Sequence, residues 1–218
     1  MSASLVKLAL ATGGLGVAGA SGFGIYKIAF SDKTIKQVIL DSDEKDDTYS
    51  FLSRDSKHWV QIKEEYAKEG ARHKPIQNGI AIDKEKLPEW CSSAINSPFS
   101  EKEVDRYQSV LRWCYLNTNK FEEQMDLKGK KLAGEKEVSG GTVSQEWKNT
   151  WTKEYKSHKE SAEWKITDGE ENLNGNEEAA GATSLQKWCT KKLEVFFYAE
   201  GAKEDFRKFL RFCTKDKN

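Results

Sequence analysis

An aromatic ring followed directly by cysteine occurs four times in this chain, as Trp90-Cys91, Trp113-Cys114, Trp188-Cys189 and Phe212-Cys213. Three residues before each ring stands an apolar residue: Leu87, Val110, Leu185 and Phe209. Side chains at i, i+3 and i+4 share one face of a helix, so each copy reads as a helix that buries a ring and a thiol together. Every cysteine of the protein lies in one of the four copies, and the two intervals are 23 and 24 residues. The regularity points to one structural unit used twice, with its cysteines placed by architecture rather than by chemistry.

Other landmarks recur in the same order. Ser56-Lys-His-Trp59 leads to Tyr66, and Ser144-Gln-Glu-Trp147 leads to Tyr155. The offset is 88 residues at these tryptophans, 98 at the first cysteines and 99 at the last. One loop insertion of about ten residues accounts for the drift, because loops tolerate added length. The expected organisation is mainly α: an N-terminal segment over 1–30, then two tandem helical repeats over 33–116 and 119–215.

Helix signals fit that plan. Ser100 and Glu103 form a capping-box pattern with Phe99 and Val104 as a staple, ahead of a face made by Val104, Tyr107, Leu111 and Cys114. Phe206, Phe209, Leu210 and Cys213 repeat the rhythm. A further helix is predicted from Thr183-Ser184, with Leu185, Trp188, Cys189, Leu193 and Phe196 on one side, ending toward Gly201. Trp59, Ile62 and Tyr66 mark one more, matched by Trp147, Trp151 and Tyr155; short pieces are expected at 35–40 and 121–125. Residues 76–82 suggest a brief strand pair, which Gly79 weakens. Asp41–Asp47, Gly134–Gly141 and Asp168–Glu178 read as exposed polar linkers. The helical spacing assigns the aromatic–cysteine rings to core packing, with a binding surface as the alternative.

From Leu8 to Tyr26 run nineteen uncharged residues between Lys7 and Lys27. At about 1.5 Å per residue such a helix spans nearly the roughly 30 Å apolar layer of a bilayer. Six glycines would make it a poor helix in water, whereas lipid enforces backbone pairing. A retained single-pass anchor is the first expectation; a signal peptide cleaved after Ala18-Gly19-Ala20 and a flexible leader are the alternatives. Lys27, Lys33 and Lys36 beyond the run favour a cytoplasmic body, while the even cysteine number favours an extracellular one.

Composition excludes several functions. Thirty-five basic and thirty-five acidic residues cancel, and the scattered cations form no basic–aromatic surface, so no nucleic-acid partner is expected. His58, His73 and His158 have no partner at a catalytic spacing, so no catalytic residues are assigned and an enzyme is not expected. Asp41–Asp47 lacks the glycine and carries a lysine where a calcium loop needs a ligand. With no C-x-x-C, zinc is disfavoured, and no metal or cofactor is expected. Were the body outside the cell, Cys91–Cys114 and Cys189–Cys213 would be the preferred disulfides, each worth about 3 kcal/mol through loop closure. Four buried free thiols remain the alternative.

The Gly/Ala-rich leader, the Ser-x-x-Trp…Tyr segments and Leu87-Pro-Glu-Trp90-Cys91-Ser-Ser…Trp113-Cys114 together resemble the large paralogous families of membrane-associated proteins of haemotropic mycoplasmas. The chain departs from their pattern in the long insertion between Gly134 and Gly181 and in Phe212 standing for tryptophan. The resemblance implies a surface-exposed protein of a diversified set, of the kind tied to host contact or antigenic variation. The expected function is accordingly a non-enzymatic, membrane-anchored interaction or antigen protein. The alternative is a cytoplasm-facing structural or regulatory module with reduced cysteines.

Overall fold

The computed structural model describes residues 33–136 and 142–217. The Leu8–Tyr26 run and most of Gly134–Gly141 lie outside the described residues. Among the described residues no helix is long and apolar enough to cross a membrane. The body is mainly helical, with three two-stranded antiparallel ladders.

In the N-terminal half, helix α1 (Ile35–Leu40) opens at a capping box. The Thr34 hydroxyl accepts the Gln37 amide, and the Gln37 side chain accepts the Thr34 amide. Strand β1 (Ser50–Phe51) follows, then α2 (Trp59–Ala67), which turns Trp59, Ile62 and Tyr66 into the core. Strands β2 (Ile76–Gln77) and β3 (Ile80–Ala81) form a hairpin about Asn78 and Gly79, whose φ angles are 53° and 80°. Positive φ at both central residues is what a tight type I′ turn requires, so Gly79 makes the strand pair rather than weakening it. Helix α3 (Leu87–Ala94) carries Pro88 in its first turn, where a missing N–H costs little. The Ser100 hydroxyl caps a 3₁₀ turn by accepting the Lys102 amide, and α4 (Val104–Trp113) follows. The Glu103 carboxylate reaches Arg106 at 2.9 Å. Strand β4 (Tyr115–Leu116) then pairs with β1.

The C-terminal half runs through α5 (Phe121–Leu127), β5 (Lys130–Leu132), α6 (Gln145–Thr150) and a π-helical turn at Trp151–Tyr155. A 3₁₀ turn at Glu171–Asn174 precedes α7 (Glu178–Lys192), α8 (Ala202–Cys213) and β6 (Thr214–Asp216), which pairs with β5. Helix α7 starts five residues before the expected Thr183 and stops at Lys192 instead of running toward Gly201. The chain after it is bonded elsewhere: Val195 O accepts from the Phe121 amide, and the Phe197 amide donates to Asn119 O.

The same contacts hold both halves together. The bonds Ile35 N–H to Ser97 O, Lys36 N–H to Ile95 O and Phe99 N–H to Lys33 O reappear as Phe121 to Val195, Glu122 to Leu193 and Phe197 to Asn119. Leu52 N–H donates to Cys114 O, and Ala133 N–H to Cys213 O. Tyr66 meets Trp113 edge-on at 4.9 Å, as Tyr155 meets Phe212 at 5.1 Å. Phe99 and Tyr107 form a second such pair, matched by Phe197 and Phe206. Edge-to-face rings of this kind add about 0.5–1.5 kcal/mol beyond their burial.

Between Trp147 and Tyr155 lies one more residue than between Trp59 and Tyr66. The π turn absorbs it, with the Lys156 amide donating to Trp151 O, five residues back. A π-bulge is a one-residue insertion into a helix, and here it keeps Tyr155 aimed at the core. Each half has its own cluster of buried side chains, 35–116 and 121–213, and Tyr198 crosses over into the first.

Candidate functional site: a cleft beside Trp90

The four cysteines stand where the helix faces bring them. Cys91 on α3 bonds Cys114 at the end of α4, with their Cα atoms 5.4 Å apart; Cys189 on α7 bonds Cys213 on α8, at 5.5 Å. All four are buried. Each bridge locks two helices together and fixes the surface they present.

On the N-terminal half that surface is open among the described residues. A cleft of about 810 Å³ separates the β2–β3 hairpin from α3 and α4; Pro75, Ile76, Trp90, Ala94, Arg106 and Ser109 lie along it. Trp90 is half-buried and packs against the N-terminal core, as expected of it, but its indole N–H meets no hydrogen-bond acceptor among the described residues. Four other tryptophans bond a backbone carbonyl: Trp59 to Ser53, Trp113 to Arg72 and His73, Trp147 to Glu135, Trp151 to Leu173. Ile76 and Ile80 on the hairpin are 61% and 73% exposed.

On the C-terminal half the matching surface is covered. Ten residues more separate Trp147 from Cys189 than Trp59 from Cys91: one lies in the π turn, seven lengthen α7 at its start relative to α3, and two lengthen the segment between the π turn and α7. That segment lies across the helices. Trp188, which corresponds to Trp90, donates its indole N–H to Asp168 Oδ1 at 2.8 Å. Lys192, which corresponds to Ala94, reaches Asp168 at 2.7 Å and also bonds Asp205, the counterpart of Arg106. Lys208, the counterpart of Ser109, donates to Lys165 O at 2.9 Å. Ile166 and Leu173 are buried beneath. Asp168–Glu178 is largely exposed, as its acidic composition predicts, but buried Leu173 within it and Ile166 just before it fasten it to the core. Burial works to raise the Asp168 pKa, but hydrogen bonds from Lys192 and Trp188 hold it below the ordinary carboxylate value.

Where the halves meet, Arg112 donates to Tyr198 O at 3.0 Å and to Glu200 Oε2 at 3.3 Å. Arg72 grips Glu200 from the other side, and the Glu200 amide donates to buried Glu65 at 2.8 Å. Burial works against the charge on Glu200, yet the two arginines leave its pKa below the ordinary value. The Tyr198 phenol is pushed up to about 12, by burial first and by Glu65 second. This cluster ties the halves together and lies apart from the cleft lining.

The histidines stand on separate elements. His58 immediately precedes α2. His73 takes the left-handed conformation, with φ 53°, and its carbonyl receives the Trp113 N–H. His158 Nε2 lies 2.8 Å from Arg211 Nη2. As guanidinium only donates, that nitrogen accepts, which leaves the proton on Nδ1, 2.7 Å from Glu154 O. In the Asp41–Asp47 loop, Asp46 Oδ1 takes the Thr48 amide and hydroxyl, and the Asp46 backbone brackets the Tyr115 hydroxyl. The loop is a fastening. Among the described residues no group of three or more His, Cys, Asp or Glu could hold a metal ion.

No protein-family model matches the chain, and neither a curated protein nor a solved structure is found similar to it.

Proposed function

We propose that the chain is a membrane-anchored protein held by its N-terminal segment, whose body consists of two copies of one helical unit, lies outside the cell and works by binding. The observation that carries this is the pairing of all four cysteines in the same register of each half. Buried disulfides persist in oxidising compartments and are rare in the reducing cytosol. The Leu8–Tyr26 run supplies an anchor of bilayer length. The matched hydrogen bonds and ring pairs support duplication of one unit, and the cleft beside Trp90 supplies a surface for a partner. Membership of a diversified surface or antigen set is part of the same proposal, on the resemblance noted above.

The lysines at 27, 33 and 36 favour the other orientation, with a cytoplasmic body and reduced thiols. One experiment separates the two. Intact cells are treated with added protease, and free thiols are counted in full-length protein purified without reductant. Digestion of the body together with no reactive thiol is the expected result. A protected body with four reactive thiols overturns the proposal in favour of the cytoplasmic orientation, and recovery of full-length protein in the soluble cytosol removes the anchor.

A further inference from the structure

We infer that the cleft beside Trp90 is a docking site for an extended segment of a partner protein, one carrying a carboxylate beside aliphatic side chains. The inference rests on the body being a binding module, but not on its location. Its ground is the difference between the halves: among the described residues, the same pair of disulfide-linked helices is covered by the chain itself in one and left open in the other. In the C-terminal half the cover has a definite chemistry. An aspartate meets a tryptophan N–H and a cation, a backbone carbonyl meets a lysine, and Ile166 and Leu173 go into the core.

The N-terminal cleft keeps the complementary groups. Trp90 offers the equivalent N–H without an acceptor among the described residues, whereas at the position of Lys208 the Ser109 hydroxyl is already donated to Asp105 O at 2.7 Å. The cation has moved from the α7 position, where Ala94 replaces Lys192, to the α4 position, where Arg106 replaces Asp205. Arg106 is engaged by Glu103, but both side chains are about 40% exposed, and such a pair is weak enough to exchange for an incoming carboxylate. The hairpin wall adds exposed Ile76 for an aliphatic neighbour. The volume of about 810 Å³ accommodates several residues of extended chain.

The test uses the full-length protein with isotope-labelled tryptophan, whose seven indole N–H signals are separately observable. The probe is a synthetic peptide with the sequence of residues 165–174, the chain's own cover, which contains no tryptophan. The expected result is a saturable shift of the Trp90 signal, assigned by its loss in Trp90→Phe, at peptide concentrations below about 1 mM. Replacing the aspartate of the peptide by asparagine should weaken binding about ten-fold, and so should Arg106→Glu in the protein, a change on a half-exposed side chain that leaves the core alone. No shift at about 1 mM overturns the inference. So does equal binding of the asparagine peptide, or a shift confined to Trp188, which would mean exchange with the existing cover. Each of these failures leaves the thiol count and the protease accessibility untouched, so the function proposed above would stand or fall separately.

Discussion

The two halves agree in the backbone bonds that join their first helix to the segment between their last two helices, in the disulfide and in the edge-on rings. They part in what lies over the disulfide-linked helices. The N-terminal half spans the distance from Tyr66 to α3 with a tight hairpin, and Tyr66 donates its hydroxyl to Ile82 O. The C-terminal half uses a segment only two residues longer that wraps back over Trp151, Trp188 and Lys192. Duplicated scaffolds of this kind diverge in their loops, since a loop can change its course without disturbing the buried pairs that fix the helices. The comparison shows the conserved geometry residing in the ring–thiol register and the difference in binding surface residing in the connection.

Removing the bridges tests the shared part and should produce the largest effect. Cys91→Ala with Cys114→Ala, and separately Cys189→Ala with Cys213→Ala, each open a loop of 23 or 24 residues and should cost about 3 kcal/mol in urea unfolding. Loss in only one half would break the equivalence.

Gly181→Ala comes next and acts on the C-terminal half alone. A Cβ there would lie 2.2 Å from Trp151 Cε2, inside a fully buried ring contact. The glycine leaves room for the large Trp151 ring. Overpacking should cost about 1–3 kcal/mol in thermal unfolding.

Matched arginines sharpen the contrast at the junction. Arg112→Ala strands the Tyr198 carbonyl and leaves Glu200 to Arg72 alone, and should cost about 1–2 kcal/mol, since the Arg112 side chain is 17% exposed. Arg211→Ala, its exposed counterpart, should stay within about 0.5 kcal/mol. Chemical denaturation of both variants side by side decides it.

The smallest effect is that of pH on the cover. The depressed pKa of Asp168 stabilises the fold above the ordinary value of 3.8, and this is lost as pH falls through the folded value. Burial acts to lower the Lys192 pKa, but bonds to Asp168 and Asp205 leave it above 10.5, so its share is present below that pH and lost as pH rises through the folded value. Because Asp168 is half-exposed, the contribution should be under about 1 kcal/mol. The Trp188 indole signal should therefore move on acidification below about pH 4, while that of Trp90 stays still. Parallel movement of both signals would mean that the two surfaces are not distinguished by their cover.

Much of the scaffold was legible in the order of residues. The spacing of Trp59, Ile62 and Tyr66, and of Val104, Tyr107, Leu111 and Cys114, marked helices because periodic burial leaves its trace in the chain itself. The 35–40 helix matched to the residue. What escaped came from two kinds of signal. Asn78-Gly79 is a hairpin signature, but the glycine was weighed as a strand breaker instead of as the residue that reaches positive φ. The acidic run Asp168–Glu178 hid Leu173 among polar neighbours, and one buried aliphatic side chain outweighs several solvated ones in fixing a loop. Helix α7 lost its expected end because Val195 and Phe197 satisfy their backbone groups on residues more than seventy positions away, a pairing that local periodicity does not carry.

The amino-acid sequence by itself determined that rings and thiols recur at fixed intervals on helical faces, since i, i+3 and i+4 spacing is a local property. It determined the duplicated order of landmarks in the same way. Only the tertiary structure decided that Trp188 lies under a cover and Trp90 does not, because exposure depends on which distant segment folds across a surface. The identical dipeptides Trp90-Cys91 and Trp188-Cys189 thus occupy different surroundings, and the segment that folds over Trp188 lies outside both motifs.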